Sequence, residues 1–344
     1  MRSGSRGSGT LGRTPSDSIE PEDRATLHTE DVSIVGQAKA AFAAMRPAQW
    51  TKNTLVFLAL IFAQRLTDHA DVERVAVAFL AFCFAASAVY IMNDIADRDS
   101  DRMHPRKRYR PIASGRLSRR AATLVGVACV VISLGLSVWL AFVLLRGQPD
   151  PFAEWGGAAT LFILTIVSYL GINILYSLRL KHEVLWDVFI IAIGFVLRAI
   201  AGALAIPVPI SPWFYLCTTF LALLLALGKR RAELVNLNTG AVSHRANLRH
   251  YTLQLLDQLM GVVVTCTLIT YSLYTIQGLG AGHALMLTIP FVLFGVFRYL
   301  YLIYVKGEGD RPDELLWRDK QVLGSVILCM LTIILLLYWP LLHR

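Results

Sequence analysis

The chain has little charge, and several widespread catalytic motifs are missing from it. Charged residues make up 17% of its 344 residues, against about 25% in a typical soluble domain. It contains no Walker sequence, dinucleotide-binding fingerprint, GxSxG or HExxH. ATP hydrolysis, hydride transfer and serine or zinc hydrolysis therefore have no support from sequence motifs.

Cysteine is also scarce. The five cysteines are Cys83, Cys129, Cys217, Cys266 and Cys329. Each stands alone within an apolar segment, without the spacing of a metal site or a redox pair. We interpret them as small buried apolar side chains.

The N-terminal segment has almost nothing to bury. Residues 1 to about 35 consist mainly of Gly, Ser, Arg and acidic residues. This composition predicts a disordered cytoplasmic tail, which we take to end at residue 38. The segment has no apolar h-region and is not interpreted as a secretory signal peptide. Residues 39–344 are expected to form one transmembrane domain.

The remainder is rich in long apolar blocks. Hydrophobic residues make up 55% of the chain, and the mean hydropathy is +0.54. Blocks of roughly 20 apolar residues are typical of transmembrane helices. In lipid, a single segment can satisfy its backbone hydrogen bonds only as a helix. An all-α polytopic membrane protein is predicted. Its nine expected spans are at about 50–66, 74–93, 121–145, 157–176, 185–205, 212–228, 255–277, 284–304 and 321–342.

Lysine and arginine are distributed unevenly between the loops. The loops after the second, fourth, sixth and eighth spans carry 20 of them, whereas the opposite loops and the C-terminus carry four. This bias predicts a plasma-membrane protein whose N-terminus and basic loops face the cytoplasm. The formal net charge of +9 then favours anionic lipids and anionic substrates over nucleic acid.

The sequence NDIADRDSD, residues 93–101, places acidic residues at the end of the second span. Asn93, Asp97 and Asp101 are spaced by four residues, and Asp94 lies seven residues before Asp101. If the helix continues past the membrane, these side chains share a face. Clustered carboxylates favour a hard divalent cation such as Mg²⁺, although a solvated acidic helix end is the simpler alternative.

A basic run, HPRKRYRP, follows directly. Its cations are predicted to bind phosphate oxygens, with arginine binding them bidentately. The candidates are Lys107, Arg108 and Arg110. A topogenic anchor is the alternative interpretation. Acidic residues that can bind a metal, next to basic residues that can bind phosphate, together suit a metal-bound diphosphate.

The sequence YSLRLKHEVLWD, residues 176–187, joins the fourth and fifth spans. Glu183 and Asp187 are one helical turn apart. They are either a second metal-facing pair or acids that are favourable at a helix N-terminus. Lys181 and His182 precede them as candidate substrate contacts. Arg198 lies deeper in the span, where a charged residue marks an aqueous cavity or a structural ion pair.

Two further segments carry polar candidates at the membrane boundary. In GKRRAEL, residues 228–234, Lys229 and Arg230 are either phosphate contacts or a topogenic anchor, and we expect Arg231 to pair locally with Glu233. In RPAQWTKN, residues 46–53, the candidates are Lys52 and Asn53. Together these segments predict a Mg-diphosphate site at the membrane surface, with a lipid as the second substrate.

NDIADRDSD fits the NDxxDxxxD signature, and the chain resembles the UbiA superfamily of polytopic prenyltransferases. Within it, the chain is most similar to the decaprenyl-phosphate phosphoribosyltransferase branch. The matching segments include RPAQWTKN, RPIASG, YSLRLKH, LRAIAG, GKRRAEL and LLWRDKQ, in order over about residues 40–342. This resemblance implies nine transmembrane helices around a central cavity and Mg²⁺ as cofactor.

The branch resemblance implies that 5-phosphoribosyl 1-diphosphate donates phosphoribose to a polyprenyl phosphate, for the synthesis of cell-wall arabinan precursors. Asn93, Asp94, Asp97 and Asp101 would then hold the metal and its diphosphate. Asp187 would act with the three motif aspartates in catalysis by stabilising the sugar C1. The predicted substrate contacts are Lys52, Asn53, Asn93, Lys107, Arg108, Arg110, Lys181, His182, Arg198, Lys229 and Arg230.

The sequence leaves two other functions open. One is transfer of a prenyl group from prenyl diphosphate to an aromatic or tetrapyrrole acceptor by an enzyme of the same fold. The other is a membrane transporter or scaffold, for which the acidic motif would not be essential. Whether one or two metal ions bind, and whether the chain forms a homo-oligomer, are also left open.

Overall fold

The secondary structure is helical throughout the part of the chain that is described. The structure is a computed structural model that describes residues 34–105, 107–238, 248, 250–277, 282–309 and 312–342. We number the α-helices in chain order: α1 Ile34–Ala44, α2 Leu58–Phe62, α3 His69–Ala96, α4 Arg98–Met103, α5 Arg119–Trp139, α6 Gly157–Leu178, α7 Trp186–Ala205, α8 Pro212–Asn238, α9 Leu253–Ile276, α10 Ile289–Tyr304, α11 Pro312–Arg318 and α12 Lys320–Leu342.

Eight helical segments in the described ranges are long and apolar enough to cross a membrane. They are His69–Ala96, Arg119–Leu144, Gly157–Leu178, Trp186–Ala205, Pro212–Asn236, Leu253–Ile276, His283–Tyr304 and Lys320–Trp339. Each coincides with one of the predicted spans from the second to the ninth. The predicted fold class, an all-α polytopic membrane protein, is confirmed.

The first predicted span, at about 50–66, has a different form. It consists of a 3-10 helix, Pro47–Phe57, followed by the short α2. Within this 3-10 segment, Asn53 is fully buried, and polar bonds hold the segment to neighbouring helices. A Cβ atom at Gly202 of α7 would overlap the backbone carbonyl of Val56. The absence of a side chain at Gly202 therefore lets the 3-10 segment lie directly against α7.

Two helices form the centre of the bundle. The most apolar stretches of α3 and α7 are 67% buried, against 28% for the α5 and α12 spans. Helix α3 packs on α5, α6 and the 3-10 segment, and α7 packs on α6, α8 and the same segment. Outer helices expose large apolar side chains such as Leu124, Val131 and Leu331. Such an outer surface suits lipid rather than water.

Several connections meet at one end of the bundle. Polar contacts join the α3–α4 junction to the α6–α7 connector, and they join the end of that connector and the start of α7 to the segment before α9. The predicted acidic and basic segments therefore converge in space. Of the predicted tail, residues 1–33 lie outside the described residues, and helix α1 begins at Ile34. The predicted domain boundary at residue 38 stays a prediction.

Candidate active site

The acidic stretch forms the end of α3 and the short helix that follows it. Asp97, with φ −90° and ψ 6°, joins α3 to α4. The backbone amide of Asp97 donates to the carbonyl of Asn93, and that of Asp101 donates to the carbonyl of Asp97, both at 2.8 Å. Helical hydrogen bonding thus continues across the junction, and the four-residue spacing keeps these residues near one another.

The three motif aspartates differ in their access to solvent. Asp94 and Asp101 are buried, with 2% and 3% of their surface exposed. The side chain of Asp97 keeps 42% of its surface exposed. Asp97 is therefore the carboxylate that a soluble ligand reaches most easily, whereas Asp94 and Asp101 need internal partners.

Two arginines neutralise the buried carboxylates. Arg46 Nη2 lies 2.5 Å, and Arg110 Nη1 3.1 Å, from Oδ1 of Asp94. The same nitrogen of Arg110 lies 2.6 Å from Oδ2 of Asp101. Because one nitrogen bonds to both carboxylates, a single positive charge sits between Asp94 and Asp101.

The third aspartate receives its cation from another part of the chain. Lys181 Nζ lies 3.1 Å from Oδ1 of Asp97. Lys181 belongs to the 3-10 turn Leu180–His182, which follows α6. The structure thus brings predicted acids and predicted bases together, with one cation or more for each of the three carboxylates.

Asn93 faces α6 instead of the arginines. Its side-chain oxygen accepts a short hydrogen bond from the hydroxyl of Ser177. Ser177 Oγ also lies 2.8 Å from the Asn173 carbonyl in the same helix. The predicted ligand oxygen of Asn93 is therefore held in place by the last turn of α6.

The basic loop presents its cations to solvent. Lys107 and Arg108 are exposed and lie in the 3-10 turn Lys107–Tyr109. Arg108 donates to the Tyr109 hydroxyl at 2.7 Å and stacks on its ring at 4.9 Å. Arg116 Nη2 donates to the Tyr109 carbonyl at 2.7 Å, which fastens the turn. Residue 106 lies outside the described residues.

The second predicted acidic pair does not form an open site. Glu183 is exposed, whereas Asp187 has no exposed surface. Asp187 Oδ2 lies 2.9 Å from Nε of Arg230, which is also fully buried. Oδ1 of Asp187 accepts a hydrogen bond from the Tyr251 hydroxyl at 2.7 Å. The catalytic role of Asp187 and the phosphate contact of Arg230 stay predictions, and this buried geometry does not favour them.

The expected local pair between Arg231 and Glu233 is wrong. Glu233 instead bonds to Arg230, and Arg231 Nε lies 2.7 Å from Oδ1 of Asp257 on α9. Residues three apart on a helix are neighbours, whereas residues two apart point to different sides. Lys229, on the same helix, is half-buried.

Arg198 and Asn53 lie in a separate polar group within the bundle. Arg198 Nε donates to Asn53 Oδ1 at 2.6 Å, Nη1 to the Gly194 carbonyl at 2.5 Å, and Nη2 to the Tyr169 hydroxyl at 2.9 Å. These described partners are all neutral, so the contacts do not match an ion pair with an acid, and the predicted aqueous cavity stays a prediction. The group ties the 3-10 segment to α6 and α7. Lys52, beside Asn53, is half-buried, and His182 is exposed.

Two residues in this region were missed by sequence reasoning. Arg46 begins the RPAQWTKN segment, in which only Lys52 and Asn53 are candidates from the sequence. Its position immediately before Pro47, at the start of a span, was the available signal, because a basic residue there can turn back towards the acidic motif. No local pattern pointed to Tyr251, which meets Asp187 only through tertiary packing.

The comparison with protein families decides which family these features represent. The model of the "UbiA prenyltransferase family" matches residues 54–318, more than half of the chain. The chain belongs to the UbiA prenyltransferase family. The matched region includes the acidic motif, the basic loop and the connector that carries Lys181.

Curated relatives of this UbiA-family chain cover most of its length. A decaprenyl-phosphate phosphoribosyltransferase from Mycolicibacterium smegmatis is 33% identical over 290 residues, which are 80% of this chain and 86% of the relative. A decaprenyl-phosphate phosphoribosyltransferase from Corynebacterium glutamicum is 33% identical over 303 residues, 86% of each chain. The predicted resemblance to this branch is thereby confirmed over most of the chain.

The UbiA fold is also seen in a solved structure. A UbiA homolog from Archaeoglobus fulgidus, bound to GPP and Mg²⁺, superposes with a TM-score of 0.63. The alignment covers 86% of this chain and 96% of that chain, at 19% identity. At this identity the similarity establishes the fold alone.

Proposed function

We propose that the chain transfers 5-phosphoribose from 5-phosphoribosyl 1-diphosphate to a polyprenyl phosphate such as decaprenyl phosphate, and releases diphosphate. The similarity to the two phosphoribosyltransferases supports this donor and acceptor. The observation that carries the proposal is the paired cluster of Asp94, Asp97 and Asp101 with Arg46, Arg110 and Lys181. Such a cluster offers oxygen ligands to a cation and N–H donors to phosphates at one place.

The donor set has the chemistry that Mg²⁺ requires. Oδ1 of Asp94 and Oδ2 of Asp101 lie 3.1 Å and 2.6 Å from the same nitrogen, Arg110 Nη1, so the two oxygens are close to each other. Among the described residues, no three His, Cys, Asp or Glu side chains are arranged as a metal site, and each motif carboxylate contacts a basic side chain. Asp94, Asp97 and Asp101 with Asn93 would hold the ion, which supplies charge neutralisation to a leaving diphosphate.

The basic residues around the acids would bind the donor's phosphates. Lys107 and Arg108 are exposed beside the acidic motif, and Lys181 and Arg110 are partly exposed within the cluster. Arginine offers paired N–H donors to phosphate oxygens, whereas lysine offers a compact charge. Lys52 and Lys229 are further candidates on neighbouring elements.

The reaction would need little proton transfer by the protein. A phosphate monoester already carries a negatively charged oxygen, so the polyprenyl phosphate can attack C1 of the ribose without a dedicated base. The new bond joins that oxygen to C1, and the bond between C1 and the diphosphate oxygen breaks. The diphosphate leaves with the electron pair, and nearby cations stabilise its growing charge.

The position of the site suits one lipid and one soluble substrate. The cluster lies where α3 and α6 end and α7 begins, at one end of the membrane-spanning helices. The distribution of lysine and arginine supports a cytoplasmic position of this end, at the plasma membrane. A soluble sugar diphosphate would enter from the cytoplasm, and the polyprenyl tail would remain among the helices. The product would serve cell-wall arabinan synthesis.

Donor specificity tests the proposal directly. Membranes containing the full chain are incubated with Mg²⁺ and either labelled 5-phosphoribosyl 1-diphosphate plus decaprenyl phosphate, or labelled prenyl diphosphate plus aromatic acceptors. We expect label from the phosphoribosyl donor to move into the lipid phase. Membranes lacking the chain are the control.

Two outcomes contradict the proposal. Label that stays in the aqueous phase excludes phosphoribosyl transfer to the lipid. Transfer of the prenyl label to an aromatic ring identifies the chain as a prenyltransferase instead.

A further inference from the structure

The connector between α6 and α7 has a strained backbone. Leu185, immediately before α7, has φ 69° and is one of three described non-glycine residues with positive φ. A leucine rarely adopts this conformation, because its Cβ atom meets the backbone. Such a residue persists only where its surroundings hold it, so partners of Leu185 should be visible in the structure.

The phenol of Tyr251 provides that support. The Leu185 amide donates to the Tyr251 hydroxyl at 2.7 Å, and this hydroxyl donates to Oδ1 of Asp187, also at 2.7 Å. Tyr251 therefore bridges the two residues on either side of Trp186. Burial and the bond to Asp187 raise the pKa of Tyr251, so its hydroxyl keeps the proton that it donates.

Tyr251 and Asp187 are themselves fixed. Tyr251 is 4% exposed and packs in the apolar cluster that contains Leu248, Leu256 and Val188. Asp187 forms an ion pair with Arg230, and Arg230 donates a hydrogen bond to Glu233 on the same helix, α8. Since Asp187 and Arg230 have no exposed surface, a soluble phosphate cannot reach either without rearrangement of the protein.

The other end of the connector carries a group of the candidate active site. Lys181 lies four residues before Leu185 and bonds to Asp97 at 3.1 Å. Across this stretch, the Glu183 amide donates to the Leu180 carbonyl at 3.2 Å, and the Asp187 amide donates to the Glu183 carbonyl at 3.4 Å. The connector is therefore short and internally bonded, and we expect a displacement at Leu185 to move Lys181.

We propose that Tyr251, Asp187 and Arg230 form a clamp that fixes the α6–α7 connector and thereby positions Lys181 against Asp97. These three are positioning residues and do not touch the substrate. The kinetic consequence of the clamp rests on the proposed function, in which Lys181, held beside Asp97, contacts the metal-bound diphosphate. The clamp gives Asp187 and Arg230 a different role from the catalytic and phosphate-binding roles predicted from sequence.

The kinetic test is a double-mutant cycle on the full chain in membranes. Tyr251→Phe removes the hydroxyl and keeps the ring. We expect it to lower kcat/KM for the phosphoribosyl donor about tenfold, the effect of losing a hydrogen bond to a charged group, with KM for the polyprenyl phosphate unchanged. In a chain that also carries Lys181→Met, Tyr251→Phe should have almost no further effect. An equal loss in both backgrounds would overturn the clamp.

Tyr304→Phe is the matched control. The Tyr304 hydroxyl donates to Oδ1 of Asp257 at 3.0 Å, beside Arg231. The Tyr304→Phe change therefore removes a similar hydrogen bond, from a tyrosine to an ion-paired aspartate, at a position away from the connector. We expect the same kcat/KM as for the unaltered chain. A loss equal to that of Tyr251→Phe would show a general effect on stability.

Hydrogen exchange tests the clamp without any substrate. In the purified unaltered chain, the Leu185 amide should exchange slowly, and peptides covering 179–186 should exchange faster in Tyr251→Phe but not in Tyr304→Phe. Unchanged exchange of these peptides in Tyr251→Phe contradicts the proposal. Rapid exchange of the Leu185 amide in the unaltered chain also contradicts it, and this result holds even if the variant does not fold. Absence of phosphoribosyl transfer by the unaltered chain refutes the proposed function instead and leaves the exchange result decisive for the clamp.

Discussion

Lys181 Nζ lies 3.1 Å from Oδ1 of Asp97, although 84 residues separate the two in the chain. The contact joins the connector before α7 to the junction between α3 and α4. It places a predicted phosphate-binding cation next to the most exposed of the three aspartates Asp94, Asp97 and Asp101. The strongest functional predictions concern this pair and its neighbours.

Replacing Asp97 tests whether the acidic motif is essential. Asp97→Asn keeps the size of the side chain but removes its charge, so it weakens both metal binding and the pair with Lys181. We expect transfer to fall by about 100-fold or more, the scale seen when a charge-stabilising group is lost. The loss is measured as the rate at which labelled phosphoribose is transferred to decaprenyl phosphate.

Asp99→Asn is the control for this change. Asp99 lies in the same motif and is exposed, so its replacement should leave transfer almost unchanged. Asp101→Asn should lower transfer to the same extent, but Asp101 is buried against Arg110. The elution profile of the Asp101→Asn chain must therefore be compared with that of the unaltered chain. Substantial transfer by a folded Asp97→Asn chain would favour the transporter or scaffold alternative.

Arg46 provides a test of a residue that sequence reasoning missed. Its guanidinium bonds to Asp94 and stacks on the Tyr90 ring at 5.0 Å. We expect Arg46→Met to raise KM for the phosphoribosyl donor about tenfold, because a charged hydrogen bond to phosphate is lost, and Arg46→Lys to restore part of it. Initial rates at varied donor concentration measure both.

Arg120→Met is the comparison for Arg46, since Arg120 is an exposed arginine near the start of α5. Its KM should equal that of the unaltered chain. An unchanged KM in Arg46→Met, together with a lower Mg²⁺ requirement, would mean that Arg46 only neutralises Asp94.

Most of the fold follows from the sequence because membrane helices are specified locally. Twenty apolar residues in succession are sufficient to identify a span, and eight of the nine predicted spans are long helices. The segment at 47–62 differs because its form depends on partners. Arg198 Nε donates to Oδ1 of the buried Asn53, and Nδ2 of Asn53 donates to Cys83 Sγ, and these partners lie far away in the sequence.

The candidate site was predictable as a set of charges but not as a set of pairs. Clustered acids and bases in adjacent loops indicated a diphosphate site. Spacing could not tell that Arg110 bonds to two aspartates while Arg108 stacks on Tyr109. Likewise, the spacing of Glu183 and Asp187 leaves open a metal-facing pair or acids at a helix N-terminus, because the sequence does not reveal that Arg230 and Tyr251 enclose Asp187.

Gly202 tests the packing of the 3-10 segment. A Cβ atom there would overlap the Val56 carbonyl, so Gly202→Ala should displace the segment and lower thermal stability, by about 1–3 kcal/mol for overpacking in a buried site. Gly135 of α5 has open space around its Cβ position, and Gly135→Ala should be neutral or stabilising, because alanine favours helix. Thermal unfolding in detergent measures both. Equal stability of the two variants would contradict the close contact of the 3-10 segment with α7.

The last prediction concerns acid stability at the start of α12. Arg298 Nη2 lies 2.7 Å from Oδ2 of Asp319, and Oδ1 of Asp319 accepts from the amides of Gln321 and Val322 at 3.1 and 3.0 Å. The bond to Arg298, helped by these amides, lowers the pKa of Asp319 from 3.8 to about 2. The aspartate is thus both a helix cap and the partner of an arginine in α10.

A lowered pKa in the folded chain fixes the sign of the pH effect. The unfolded chain binds the proton first, so the stabilisation is complete above pH 3.8 and is lost as the pH falls through about 2. Asp319→Asn cannot titrate, so its thermal midpoint should fall less than that of the unaltered chain between these two pH values. Asp99→Asn, at an exposed position, should follow the unaltered chain. Parallel curves for Asp319→Asn and the unaltered chain would mean that the pair with Arg298 adds no stability.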